Sequence, residues 1–320
     1  MSTMNDQTIL PPLEGATVID RSFCQHLAVM LRSLAVNHQS ARPIRFWVLA
    51  SDVEEDPRQR LAASLKEFPF LTIEWKSIDP ALYDGLFIHL HLSIATYFRF
   101  QLPDLIPPTV HRVLFLDSDL VVLKSLEELW ATDLGEAGLA AVRDLGVGDV
   151  RRLGFARGEP YFNAGVLLID LDRWRQLDVL ARAMGMAREY GSRLEWMDQD
   201  ILNLLFRGHW KELDPAWNVQ TAFYTSVYKV KEPWRSALRQ AIRQPRIVHF
   251  TGPSKPWEFR NLHPLRHLYW HYRRDSGWGD KAPGAPGWMA RLTRALRACL
   301  PVWVRWKLTI LAEAAWRRRG

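Results

Sequence analysis

Asp117 and Asp119, separated by one serine, stand between two apolar runs, Val113–Leu116 and Leu120–Leu123. Continuous apolar runs suit a strand buried on both faces of a mainly parallel sheet. Carboxylates at the end of such a strand are costly unless they are paired, hydrogen-bonded or bound to a cation. Alternate side chains of an extended strand share a face, so the two acids point the same way and can pinch one ion. Two hard oxygen ligands suit Mg²⁺ or Mn²⁺, which commonly keeps waters or substrate phosphates among its other ligands.

The same pattern has other uses. An ordinary strand end, its acids solvated or capping the next helix, would read alike, as would the nucleophile and acid of a haloacid-dehalogenase-type phosphatase. In that type the motif sits on an early strand, whereas here about a hundred residues precede it. Companion residues narrow the choice. His249, at the end of the apolar run Arg246–Phe250, can add a nitrogen ligand. Gly252 then permits close backbone approach to a phosphate, and Lys255 supplies a point charge. Asp198, Gln199 and Asp200 open a helix, where acids also serve as plain N-terminal caps, a role that suits Asp200 better than Gln199. Asn163-Ala164-Gly165 reads as a turn or a polar site element, and Asp144 as a loop acid or a ligand contact.

The elements that must hold these groups alternate. Ala16–Ile19, Ile44–Leu49, Leu71–Trp75, Gly138–Val142 and Val166–Ile169 read as strands; helices are expected from Asp20 to about Ala35, over Asp56–Phe68, His91–Leu102 and Ser125–Trp130 (capped by Ser125), and from about Asp172 to Tyr190. Strand–helix alternation predicts an α/β fold with a parallel, doubly wound sheet. Leu145–Tyr161, rich in glycine and arginine, is a long connection of the kind that serves as a functional loop or as plain surface.

Composition sets the frame. The 320 residues are 48% hydrophobic, ample for a core, and carry two cysteines at opposite ends. A disulfide framework is therefore not expected. No basic start with an apolar core marks a signal peptide, and no apolar run approaches the roughly 18 residues that span a bilayer. A cytoplasmic protein is expected. The net charge of +7 is uneven: residues 281–320 hold nine basic residues against Glu313, leaving 1–280 near neutrality at −1. The expected organisation is a leader over 1–14, a catalytic domain over 15–275, a Pro/Gly linker over 276–287 and a tail over 288–320. In the tail, tryptophan and leucine alternate with arginine, which suits an amphipathic helix on an anionic membrane surface better than a nucleic-acid contact.

Five segments together, HLSIATYFR (91–99), FLDSDLVV (115–122), YFNAGVLLIDLDRW (161–174), DQDILN (198–203) and HFTGPSKPW (249–257), make the chain resemble the family 8 glycosyltransferases. The likeness runs from about Ala16 to Trp257 and is nearest to bacterial transferases that build lipopolysaccharide or lipooligosaccharide. It implies a GT-A fold, a mainly parallel nucleotide-binding sheet flanked by helices, and retaining transfer of galactose or glucose from a UDP-sugar to a saccharide or lipid-linked saccharide, with Mn²⁺ or Mg²⁺. On matching positions it implies Asp117, Asp119 and His249 as metal ligands, and Gly252 and Lys255 on the phosphates. Asp20 would contact uridine, with Ser118, Arg99 and Asp144 helping to fix the donor. Asn163, Asp198 and Gln199 would face the donor sugar, with Gln199 beside the anomeric carbon as the catalytic group together with Asp198. His91 would lie near the sugar or the acceptor. The basic tail would seat the protein peripherally on the cytoplasmic face of the inner membrane. The chain departs from the family pattern at Asp20-Arg21-Ser22-Phe23, where a tyrosine and further polar residues are common.

Overall fold

The computed structural model describes residues 10–88, 93–259 and 261–279, with isolated positions Leu296, Cys299, Leu300 and Val304. Among the described residues ten strands follow in order: β1 (Leu13–Ile19), β2 (Ile44–Ala50), β3 (Leu71–Ser77), β4 (Arg112–Leu116), β5 (Leu120–Val122), β6 (Leu139–Arg143), β7 (Phe162–Asp170), β8 (Trp210–Glu212), β9 (Val219–Gln220) and β10 (Ile247–His249). Seven form a central sheet in the order β3-β2-β1-β4-β7-β6-β8, and β5-β10-β9 form a small second sheet. β7 pairs antiparallel with β4 and with β6, whereas every other pair in the large sheet is parallel. Six of its seven strands therefore run the same way.

Burial explains the apolar runs. In β4, Leu114 and Leu116 belong to one core, and Val113 and Phe115 to the core on the opposite face. β7 divides alike, with Val166 and Leu168 on one side and Leu167 and Ile169 on the other. A strand covered on both faces by helices has no polar face to show. The helix Cys24–Asn37 crosses from β1 to β2 and lays Leu27, Leu31 and Leu34 on the first core.

The two acids sit at a seam. β4 belongs to the large sheet and β5 to the small one, so Asp117-Ser118-Asp119 is the crossing between them. In the small sheet β10 runs antiparallel to β5, and His249 stands opposite Leu120, next to Asp119. Apolar continuity across the crossing hides this break from a pattern reading.

Local departures have local causes. The expected helix over 91–102 is a 3-10 helix, Ile94–Gln101, with Ser93 accepting the Ala95 N–H. Ser125 caps nothing: the short helix Glu127–Trp130 follows Leu126 without a side-chain cap. The expected helix over 172–190 is two, Leu171–Gln176 and Val179–Tyr190, because Asp178 takes φ +48° and caps the second through the Ala181 N–H. β1 begins at Leu13, inside the stretch expected as leader. Of the expected linker, Gly277 and Gly279 accept hydrogen bonds from Arg60 and Arg273. Apart from those four positions the tail over 288–320 lies outside the described residues, as does His91. Among described residues no helix is long and apolar enough to cross a membrane.

Candidate active site

Strand ends bring the first cluster together. The ligand atoms of Asp117, Asp119 and His249 all lie within 4.8 Å of one another. His249 Nε2 stands 3.2 Å from Asp119 Oδ1 and 3.7 Å from Asp117 Oδ2. Lys255 Nζ donates to Asp119 Oδ2 at 2.5 Å and to the Phe250 carbonyl at 3.0 Å. Burial and the neighbouring Asp119 push the Asp117 carboxyl up, against the pull of Arg99. At Asp119 burial acts the same way, but Lys255 and His249 overcome it and hold the group well below the usual carboxylate range.

The opposite wall comes from β7. Ala141 of β6 faces Leu167, yet Arg143, two residues on, faces Phe162, five residues back along β7. The extra residues, Asn163-Ala164-Gly165, bulge from the ladder, and such bulges re-aim groups beside functional sites. The backbone groups of Ala164 and Gly165 are all used. The Gly165 carbonyl accepts the Asp117 N–H, and the Ala164 carbonyl accepts Arg99 Nη1. The Ala164 N–H donates to Gln199 Oε1 at 3.0 Å, and the Gly165 N–H to Asn163 Oδ1 at 3.0 Å. Gly165 is also the floor of the first cluster: a Cβ there would lie 2.2 Å from His249 Cε1 and 2.7 Å from Asp117 Oδ2.

Around this bulge the predicted polar residues form one network. Asn163 Nδ2 donates to Asp144 Oδ2 and to Gln199 Oε1, each at 3.1 Å. Gln199 Nε2 donates to Asp144 Oδ2 at 3.1 Å, and Asp144 Oδ1 accepts the N–H groups of Gly146 and Val147. Buried Arg99 joins the two halves, pairing with Asp117 through Nη2 (3.0 Å) and with Asp198 through Nε (2.8 Å). Its guanidinium also lies 4.2 Å from the Phe115 ring centroid. Burial pushes the Asp198 carboxyl up to about 7, with Arg99 pulling it down and Asp117 pushing it up.

Asp200 does different work. Wholly buried, it accepts the N–H groups of Glu195 and Trp196, the Tyr161 hydroxyl and both contacts of Arg152 Nη2 at 3.0 Å. It thus ties both the chain entering the helix Met197–Leu205, which presents Asp198 and Gln199, and the loop 145–161 to that helix. Met197, at φ +42°, turns the chain into this helix.

The remaining predicted residues spread outward. Asp20 follows β1 at the same sheet edge as Asp117, accepts the Ser22 N–H and hydroxyl, and lines a cavity of about 590 Å³ with Arg21, Gln25 and Asp52. Ligands of open α/β sheets commonly bind at these carboxyl ends. Ser118 turns the other way, buried, with its hydroxyl 3.4 Å from that of Thr17. Gly252 takes φ +88° in the loop after β10, a conformation suited to glycine. Two contributors escaped the sequence reading: Gly165 as a floor, and Asn218, whose Oδ1 meets His249 Nδ1 at 3.0 Å.

One imidazole nitrogen and two carboxylates over a floor with no side chain fit a divalent cation such as Mn²⁺ or Mg²⁺.

Comparison with known proteins places the chain. The family model "Glycosyl transferase family 8" matches residues 16–261. General stress protein A of Bacillus subtilis is 30% identical over 267 residues, which is 81% of this chain and 92% of that protein. Glycosyltransferase GlyF of Streptococcus pneumoniae is 28% identical over 82% of this chain, which spans only 61% of that longer protein. Among solved structures, the galactosyltransferase LgtC in complex with donor and acceptor sugar analogues superposes with a TM-score of 0.75 at 29% identity, covering 85% of this chain and 98% of that one. An active-site mutant of LgtC gives 0.74 at 30% identity, covering 81% and 95%. The chain belongs to glycosyl transferase family 8, and its fold is of the GT-A type.

Proposed function

We propose that this family 8 transferase moves galactose or glucose from a UDP-sugar to a saccharide acceptor, such as a lipooligosaccharide core, with retention at the anomeric carbon. The observation that carries the reading is the seam itself, where Asp117, Asp119 and His249 meet the Asn163–Gln199–Asp144 network through Arg99. One side suits a cation with a diphosphate, the other the hydroxyls of a sugar. The likeness to LgtC, solved with donor and acceptor sugar analogues, supports a nucleotide-sugar donor and a sugar acceptor.

Asp117, Asp119 and His249 would hold Mn²⁺ or Mg²⁺, which when bound neutralises charge developing on the leaving diphosphate. Lys255, now on Asp119, brings a second positive charge to the same phosphates, with Gly252 admitting close backbone approach. Arg99, paired with Asp117 and Asp198 at once, would fix their separation. Asp20 and its cavity would receive the nucleoside, while the Ser118 hydroxyl, turned to Thr17, leaves that residue only its backbone to offer at the crossing. Asn163, Asp144 and Asp198 orient the sugar, with Gln199 beside the reacting carbon and His91 toward the acceptor. Gln199 Oε1 already accepts two hydrogen bonds, from the Ala164 N–H and Asn163 Nδ2. An oxygen so engaged, on a neutral amide, supports an oxocarbenium-like centre better than it attacks one. The acceptor hydroxyl then enters from the face that the diphosphate leaves.

The phosphatase use of Asp117 and Asp119 and a non-catalytic sugar-nucleotide-binding role both lack support in a chain of this family. Peripheral attachment through the basic tail to an anionic bilayer belongs to the same proposal. Replacing Asp119 by alanine should lower transfer by roughly 10²-fold or more, the scale of losing electrostatic stabilisation of the leaving group, while circular dichroism stays unchanged. Near-full transfer by D119A would remove the metal role.

A further inference from the structure

We infer that Asn218 is a positioning residue, fixing the tautomer of His249 and aiming Nε2 between Asp117 and Asp119. The inference rests on the metal site proposed above.

The orientation follows from a backbone group that cannot be reversed. The Gly165 N–H only donates, and it meets Asn163 at 3.0 Å, so the atom facing it is Asn163 Oδ1. That oxygen also faces Asn218 at 2.9 Å, so Asn218 must present its Nδ2 there. The amide is planar and two-sided, so its oxygen faces the other way, onto His249 Nδ1 at 3.0 Å. An amide oxygen only accepts, and Nδ1 therefore carries the proton. With Nδ1 committed to Asn218, Nε2 is the nitrogen that a cation can use, aimed toward Asp119 Oδ1 at 3.2 Å and Asp117 Oδ2 at 3.7 Å. The far end agrees: Asn163 Nδ2, opposite its fixed oxygen, meets acceptors on Asp144 and Gln199.

The fold holds Asn218 to this task. It is fully buried at the end of the 3-10 turn Pro215–Asn218, which Asp214 caps through the Ala216 N–H. β9 starts at the next residue and pairs with β10, Gln220 opposite His249. Outer partners of this kind fix the orientation of a metal-binding imidazole, and their loss typically costs 10–100-fold in affinity. One asparagine, Asn163, thereby orients the Gln199 amide directly and the imidazole through Asn218.

The test is Mn²⁺ titration of the full chain, followed by the electron paramagnetic resonance signal of free Mn²⁺, with and without UDP. Wild type, His249→Ala, Asn218→Leu and Asn218→Asp are compared. Asn218→Leu should weaken Mn²⁺ binding about 10–100-fold; Asn218→Asp keeps an acceptor for Nδ1 but sets its other oxygen against Asn163 Oδ1, and should lose clearly less than the Leu variant. Equal binding by Asn218→Leu and wild type overturns the inference, as does equal loss in the Leu and Asp variants, the mark of a merely structural role. Unchanged binding by His249→Ala instead overturns the metal site itself. Long-range ¹H–¹⁵N spectra of the wild-type protein with Mg²⁺ and UDP need no variant to fold. They should show His249 protonated at Nδ1, and a proton at Nε2 overturns the inference.

Discussion

Asp198 and Asp117 share one arginine, yet only Asp117 faces the cluster with His249. Asp198 is buried with its acidity weakened, from an ordinary 3.8 to about 7. An acid whose folded value lies above its unfolded one is stabilised in the fold by its proton. That contribution is complete below the unfolded value, declines as pH rises, and is gone above about 7. Asparagine keeps the neutral form at every pH. The Tm of Asp198→Asn should therefore move upward relative to wild type between pH 4.5 and pH 8 in calorimetry, and a difference that stays constant across the range would contradict this. At this scale the acids, His249 and Lys255 were legible because their types and strand-end positions are chemically costly without a purpose. Asn218 was not, because a buried amide declares its role only through partners far away in sequence, Asn163 and His249. Ser118 was legible as part of the motif, but its alternation along the chain sends its hydroxyl to Thr17.

The bulge Asn163–Gly165 organises the site more than any single strand. The backbone of two consecutive residues, Ala164 and Gly165, makes hydrogen bonds to Asp117, Arg99, Gln199 and the Asn163 side chain. An added methyl at Gly165 would meet both His249 and Asp117, so Gly165→Ala should weaken Mn²⁺ binding by about 10-fold or more, on the scale of misplacing ligands. Isothermal titration checks this, and wild-type affinity would show that the neighbours yield freely. The bulge was invisible in the sequence, where Asn163-Ala164-Gly165 reads as a turn. So was the reversal of β7: an apolar run buried on both faces looks the same in either direction. The strands themselves were legible from their runs, and the helix boundaries less so, since Ser93, Asp170 and Asp178 take the caps.

At the scale of the molecule, charge separates from catalysis. The first 280 residues are close to neutral while residues 281–320 carry a net +8, and each basic residue near an anionic bilayer is worth about 1 kcal/mol. Deleting residues 285–320 should move the protein from membrane to soluble fractions; unchanged fractionation would end the anchoring proposal. The fold class was legible because strand and helix alternate, and the family because five motifs recur together. The split into two sheets was not, because apolar residues flank Asp117-Ser118-Asp119 on both sides. The proposal puts a donor at that split, held by its diphosphate. The measurement that reaches this directly is UDP release from a panel of UDP-sugars, with Mn²⁺ and with chelator. Mn²⁺-dependent release from UDP-galactose or UDP-glucose, abolished by chelator, is the expected result. Release unaffected by chelator, or no release from any UDP-hexose, would contradict it.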